Sequence, residues 1–208
     1  MERLNDETLR VAAVELGARD ARLRAALALY GAPPLWAREP GFPTLLRIIL
    51  EQQVSLASAR AAFDKLRAAA DPLTPRRFLE FDDADLKAFG FSRQKSRYGR
   101  ELARALLSGA LDLRTLDELD DDGARAALTT VTGIGRWTSD IYLLMALRRP
   151  DVWPVGDLAL EVAAREVLGL PQKPPREELA AIAEAWRPHR AVAARILWHA
   201  YLSARGAR

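Results

Sequence analysis

The 208-residue chain contains no cysteine. That excludes disulfides, a thiol nucleophile, thiolate-bound zinc and cysteine-ligated iron–sulfur clusters. It lacks any apolar run near the ~18 residues of a membrane span. Its first residues, MERLNDETLR, are charged where a secretory signal would be apolar. A cytoplasmic protein with no membrane contact is expected. An excess of either charge is also missing. The net charge is +3 and the pI about 9.5, a mildly basic balance that alone points only weakly to nucleic acid.

What is present is apolar and helical. Half of the residues are hydrophobic, enough for one large domain or two small ones. Arginine makes up 27 of the 31 basic residues. Its planar fork suits phosphate, and the same usage follows equally from a GC-rich genome. Apolar residues recur at spacings of three and four, with no convincing alternation of period two. Asp20 to Tyr30, Phe42 to Gln53, Ser55 to Ala70 and Ser92 to Leu107 read as helices. Asp122 to Thr130, Arg136 to Leu147, Leu158 to Leu168, Arg176 to Trp186 and Arg190 to Ala204 follow. Caps and stops are legible: Ser55 and Asp157 ahead of helices, Gly31, Gly90 and Gly169 behind them. About a dozen short helices predict an all-α fold of two lobes. The Pro-bearing stretches Gly31–Pro43 and Arg149–Gly156 are the candidate crossings.

The segment LTTVTGIGRWTSDIYLLMALRRPDVWPVGDLAL carries the chemistry. Gly133-Ile134-Gly135 opens a helix, and both glycines can take positive φ. The amides of Gly133, Gly135 and Arg136 can then face a phosphate, aided by the helix dipole. Such contacts position a protein on DNA without reading sequence. A lone Gly-x-Gly is more often an ordinary helix–helix turn. Asp157, ahead of LALEVAAREVLG, is a good N-cap, and most such Asp residues only cap.

Four ordered motifs together narrow these readings. GIGRWTSD followed by DVWPVGDLAL, FPTLLRIILEQQVSLASA, GFSRQKSRYGRELARAL and WRPHRAVAARILW resemble the helix-hairpin-helix glycosylase superfamily. Within it they are most similar to the AlkA-like 3-methyladenine DNA glycosylase II family. The resemblance runs from about Asp20 to Leu202. It implies a two-lobed helix-hairpin-helix fold with the active site in the cleft between lobes. Residues 1–40 and 154–208 would form one lobe and residues 41–153, with the hairpin, the other. It also implies base excision, the hydrolysis of the N-glycosidic bond of a damaged base in double-stranded DNA, by a nucleoid-associated monomer.

In that resemblance Asp157 matches the catalytic aspartate, which stabilises an oxocarbenium-like sugar. Trp137 stands where bifunctional lyases carry the nucleophilic Lys, which implies a monofunctional hydrolase. Its indole face suits positively charged alkylated purines such as 3-methyladenine and 7-methylguanine. Ile141 and Tyr142, and Trp186 or His189, are candidate further walls of the base pocket, although core packing is the commoner role for Trp186 and Trp198. Trp36 is unassigned. Gly133, Ile134, Gly135, Arg136 and Thr138 would meet the DNA backbone. Gln53 is the candidate wedge that enters the duplex, with Gln52 and Ser55 structural. No cofactor is implied for catalysis. A monovalent cation, Na⁺ or K⁺, is implied on the main-chain carbonyls of Thr129, Val131 and Ile134. Two departures from the family pattern are Thr132, where Pro commonly precedes the Gly-Ile-Gly, and the absence of a β-rich N-terminal domain. The competing readings are a glycosylase for oxidised, deaminated or mismatched bases, and a noncatalytic DNA-binding module.

Overall fold

In the computed structural model, which describes residues 3–206, helix is the only regular structure and no strand occurs among the described residues. The first α-helices are α1 (Asp6–Arg19), α2 (Ala21–Tyr30), α3 (Phe42–Glu51), α4 (Leu56–Ala69), α5 (Pro75–Leu79) and α6 (Asp83–Phe89). They are followed by α7 (Arg93–Ser108), α8 (Asp121–Thr129), α9 (Arg136–Met145), α10 (Leu158–Leu168), α11 (Arg176–Ala183) and α12 (Arg190–Ala204). Single 3₁₀ turns occupy Thr115–Asp117 and Glu184–Trp186. The helix starts follow side-chain chemistry. Ser55, Ser92, Asp120 and Asp157 each accept a backbone N–H of the first turn they precede. α1 was not legible as an apolar repeat. Its start is a reciprocal cap in which Asn5 accepts from the Thr8 amide and Thr8 from the Asn5 amide.

The chain divides into two units. Arg38–Tyr142 form one, and the described residues up to Ala37 together with those from Leu143 onward form the other. The expected divisions were at residues 40/41 and 153/154. The second lies earlier because the segment after α9 is hydrogen-bonded into the second unit. The Ala191 amide donates to the Pro150 carbonyl at 3.0 Å, and Leu4 N–H donates to the Arg148 carbonyl at 2.8 Å. Asp151 accepts from the Arg190 side chain at 3.0 Å and 2.9 Å.

In the first unit, α3 is the central helix. Leu45, Leu46, Ile48 and Ile49 are all buried, and α4 and α7 pack on it. Its C-terminal Glu51 is a buried carboxylate, satisfied by a two-bonded fork from Arg38 at 2.9 Å and by Arg47 at 3.3 Å.

In the second unit, α12 packs on α10, α2 and α1. Arg195 lies fully buried on it and faces three carbonyls rather than a carboxylate. Its guanidinium donates to Leu35 O at 2.9 Å, Ala191 O at 3.0 Å and Leu144 O at 2.8 Å. Asp20 ends α1 and caps α2. It also accepts the Trp186 indole N–H at 3.1 Å, while Trp186 packs on Trp153 at 5.6 Å between ring centroids.

The hydrogen bonds from Arg22 hold the Asp20 carboxyl at about 2, below its usual 3.8, with Trp186 adding to the shift and burial opposing it. A depressed carboxyl stabilises the fold above its unfolded value and loses that contribution as pH falls through the folded one. Asp20→Asn should therefore flatten the fall in thermal midpoint between about pH 4 and pH 2. Parallel pH–melting curves for the two proteins would contradict it.

Candidate active site

The first unit carries the Gly-Ile-Gly turn. α8 ends at Thr129, the turn follows, and α9 begins at Arg136. Gly133 has φ +97°, in the region that favours glycine. A β-carbon there would lie 2.2 Å from Cγ of Tyr98, so the turn rests directly on that ring. Gly135 differs from the expectation. It lies outside the positive-φ set, and a β-carbon there would meet nothing within 4 Å. Gly133 is thus required by backbone and packing together, whereas Gly135 keeps the surface at the helix start open. The Ile134 amide donates to Val131 O at 3.0 Å, which commits it to the turn itself.

Around the turn, charge is arranged in layers. Asp140 is fully buried one turn into α9, and burial, the largest influence, pushes its carboxyl up. Arg125 opposes that shift through a 2.8 Å hydrogen bond, and exposed Arg136 stands 3.6 Å from the other oxygen. Arg125 also meets Asp122. The turn is therefore bordered by a guanidinium that faces solvent from an acidic seat. Thr138, expected on the DNA side, is buried at 2% exposure and accepts from Gln52 Nε2 at 2.8 Å. Its side chain acts as an internal strut.

Trp137 is half-buried at the start of α9. Ile141 and Tyr142, expected as pocket walls, are buried in the core, and the Tyr142 hydroxyl oxygen accepts the Gly41 amide at 3.0 Å. Ile141, four residues on, shares the Trp137 face of α9, but it lies a turn deeper into the packed part of the helix. Gln53 is exposed between α3 and α4 with φ +57°, a left-handed backbone on a non-glycine residue.

The second unit carries Asp157. It caps α10, with Oδ1 accepting the Leu160 amide at 2.9 Å and the Trp198 indole N–H at 3.1 Å. The residue is half-buried, its neighbour Leu158 is largely exposed, and Gly156 (φ +81°) leads in. Two donors thus fix one oxygen of the carboxylate, one from its own helix and one from α12. The Trp198 contact spans 41 residues, and no local pattern in the sequence announces it. Trp186 was expected as a pocket wall and is packed in the core of the unit. It is 1% exposed, and its N–H is taken by Asp20. His189 points its Nε2 at Glu15 at 3.0 Å, and its buried Nδ1 meets no hydrogen-bond partner among the described residues. That pairing ties it to α1. No group of three or more His, Cys, Asp or Glu among the described residues is arranged to hold a metal ion. No helix among them is long and apolar enough to cross a membrane.

Comparison with known proteins bears on both units. Residues 46–188 match the family described as HhH-GPD superfamily base excision DNA repair protein. The chain is 30% identical over 165 residues to DNA-3-methyladenine glycosylase 1 of Schizosaccharomyces pombe, covering 77% of this chain and 72% of that one. To YfjP of Bacillus subtilis it is 27% identical over 162 residues, so it spans 56% of that relative's length. Among solved structures, it is similar to the Schizosaccharomyces pombe 3-methyladenine DNA glycosylase in complex with abasic DNA. The TM-score is 0.85 and the identity 28%, over 90% of this chain and 94% of that one.

The seat of Gly133 on Tyr98 sets a stability test. Gly133→Ala should cost roughly 2–4 kcal/mol in urea unfolding, from overpacking plus backbone strain. Adding Tyr98→Ala should return only the steric part. A cost for Gly133→Ala below about 1 kcal/mol would contradict this packing.

Proposed function

Because the chain belongs to the HhH-GPD superfamily of base excision DNA repair proteins, we propose that it is a monofunctional DNA glycosylase. It releases alkylated purines of the 3-methyladenine and 7-methylguanine class from double-stranded DNA and leaves an abasic site. The observation that carries the reading is the Asp157 carboxylate, fixed at a helix start by the Leu160 amide and the Trp198 indole.

The chemistry follows from charge. An alkylated purine is cationic, so its glycosidic bond is already weak and needs no dedicated acid. As that bond breaks, its electron pair leaves with the base, which departs neutral, and positive charge grows on the sugar. A preorganised carboxylate stabilises that charge. Water then adds its oxygen to C1′ and gives up a proton, with the Asp157 carboxylate positioned to orient the attack. The target nucleotide must first leave the stack, at a cost of a few kcal/mol that is least for damaged bases.

The first unit supplies grip and recognition. The start of α9 around Gly135 and the Arg136 guanidinium suit a phosphate. The Trp137 indole suits a cationic base. Gln53 is the wedge, already turned outward by its left-handed backbone. A Na⁺ or K⁺ ion would sit on the carbonyls of Thr129, Val131 and Ile134. Thr129 ends α8, where the helix dipole favours a cation, and Val131 and Ile134 follow it in the turn; Val131 O, which already accepts the Ile134 amide, would use its second lone pair. The Thr129 and Thr130 hydroxyls fold back onto α8 carbonyls, which leaves the main chain to present the oxygens. The protein acts as a monomer in the nucleoid.

Lyase chemistry would need an amine nucleophile. Trp137 supplies none. Lys95, on α7, spends its ammonium on the Leu50 carbonyl at 2.6 Å.

Duplex DNA treated with a methylating agent should release 3-methyladenine or 7-methylguanine on incubation with the protein, followed by chromatography of the freed bases. Asp157→Asn should slow release by about 10²–10³-fold, the scale of losing a preorganised electrostatic group. Release at an equal rate by both proteins would remove Asp157 from the chemistry, and DNA binding without release by either would leave a noncatalytic module. Borohydride reduction during turnover should trap no protein–DNA adduct. A covalent adduct would make the enzyme a lyase.

A further inference from the structure

We infer that Gln52 is a positioning residue that yokes the Gln53 turn to the Gly133–Gly135 hairpin, so that duplex insertion and phosphate contact occur as one rigid event. This rests on the glycosylase reading, in which Gln53 is the wedge.

The side-chain amide of Gln52 has two N–H bonds and two acceptors. Nε2 lies 2.9 Å from the Gly133 carbonyl and 2.8 Å from the Thr138 hydroxyl. One acceptor is in the turn and the other in the first turn of α9, so a single side chain ties the turn to the helix that follows it. The two bonds cross 81 and 86 residues of sequence. The opposite side of the turn is held by Tyr98, against which Gly133 lies without room for a methyl group. The Tyr98 hydroxyl in turn accepts from Gln94 Nε2 at 2.7 Å.

The other end of the yoke is equally anchored. Gln52 is the C-cap of α3, a largely buried helix, and the Leu50 carbonyl just before it is held by Lys95 Nζ at 2.6 Å. Ser55, two residues beyond the wedge, caps α4 through the Ser58 amide at 3.2 Å. Between these anchors Gln53 keeps φ +57°. A non-glycine residue persists in that region only where its surroundings over-determine it. Here the anchors are the Gln52 amide on one side and the Ser55 cap on the other.

The consequence is preorganisation. With the yoke intact, seating the hairpin on a phosphate also sets the height and direction of Gln53 over the duplex. Without it, both contact elements remain, but their relative placement must be ordered on binding, which costs affinity only where both are used. The loss should therefore fall on duplexes that admit a wedge and spare undamaged duplex.

The test is a double-mutant cycle on DNA binding. Affinities are measured for a duplex with a tetrahydrofuran abasic-site analogue and for the same duplex undamaged. The proteins are wild type, Gln52→Met, Gln53→Gly and the double variant. Gln53→Gly keeps the left-handed backbone and removes only the wedge. Gln52→Met should lower the abasic-to-undamaged preference about tenfold, with undamaged affinity within about twofold and an unbroken thermal transition. The double variant should be no worse than Gln53→Gly alone. Gln52→Asn keeps the amide but is one methylene too short to reach, and it should show the same loss if the Met variant folds poorly. Equal weakening on both duplexes, or additive losses in the double variant, would overturn the yoke. A wild type without abasic preference would overturn it together with the wedge. Base release from methylated DNA, run in parallel, separates the two readings. Normal release with additive losses sinks the yoke alone, and a coupled cycle without release sinks the glycosylase reading alone.

Discussion

The second unit is organised around a buried cation. Among the described residues Arg195 meets no carboxylate, and its charge is tolerated because three carbonyls from three chain segments converge on it. Those carbonyls belong to the segment before the chain leaves the unit, the end of α9 and the first turn of α12 itself. α12 is consequently seated by directional bonds as well as by apolar packing. Trp198 follows three residues later, and its indole N–H reaches Asp157. The placement of the carboxylate partner thus descends from a buried guanidinium that touches no part of the proposed chemistry.

The first unit solves a different problem, that of holding irregular backbone in place. Two of its turns, those at Gln53 and Gly133, contain a residue of positive φ and belong to the proposed DNA contact. Each is stabilised from beneath by something polar or aromatic: Gln52 reaching across, Tyr98 filling the space under the hairpin, Asp140 gathering Arg125 and Arg136 from within. The low-dielectric surroundings of Asp140 make its ion pairs directional, which keeps the guanidiniums near the hairpin rather than spread over the surface. Loops that bind ligands are most useful when a rigid scaffold holds them, and here the scaffold is α3, α7 and α9.

Much of this was legible residue by residue. Ser55, Ser92 and Asp157 announce helix starts because an N-cap depends on one side chain and the next three amides. Leu158–Leu168 and Arg190–Ala204 appear with the bounds read from their flanking residues. α1 escaped because Val11 and Val14 are apolar yet exposed, which blurs the period set by its buried Leu9, Ala12, Ala13 and Leu16. The inward faces of Tyr142 and Trp186 were not legible for a related reason. A helical aromatic can face core or cleft, and only the neighbouring helices decide which. Tyr142 and Trp186 faced core, and each spends its polar atom there.

By itself the sequence determined the all-helical character, the caps, the glycine turn and the isolated Asp157, because each depends on interactions within a few residues. The four ordered motifs added the family resemblance. Only the tertiary structure decided that the Gln52 amide reaches Gly133 and Thr138, that the Trp198 indole reaches Asp157, and that Gly133 but not Gly135 takes positive φ against a packed ring. The hydrogen bonds among these join groups 41 to 86 residues apart in the chain. Packing sets such distances, and no local periodicity encodes them.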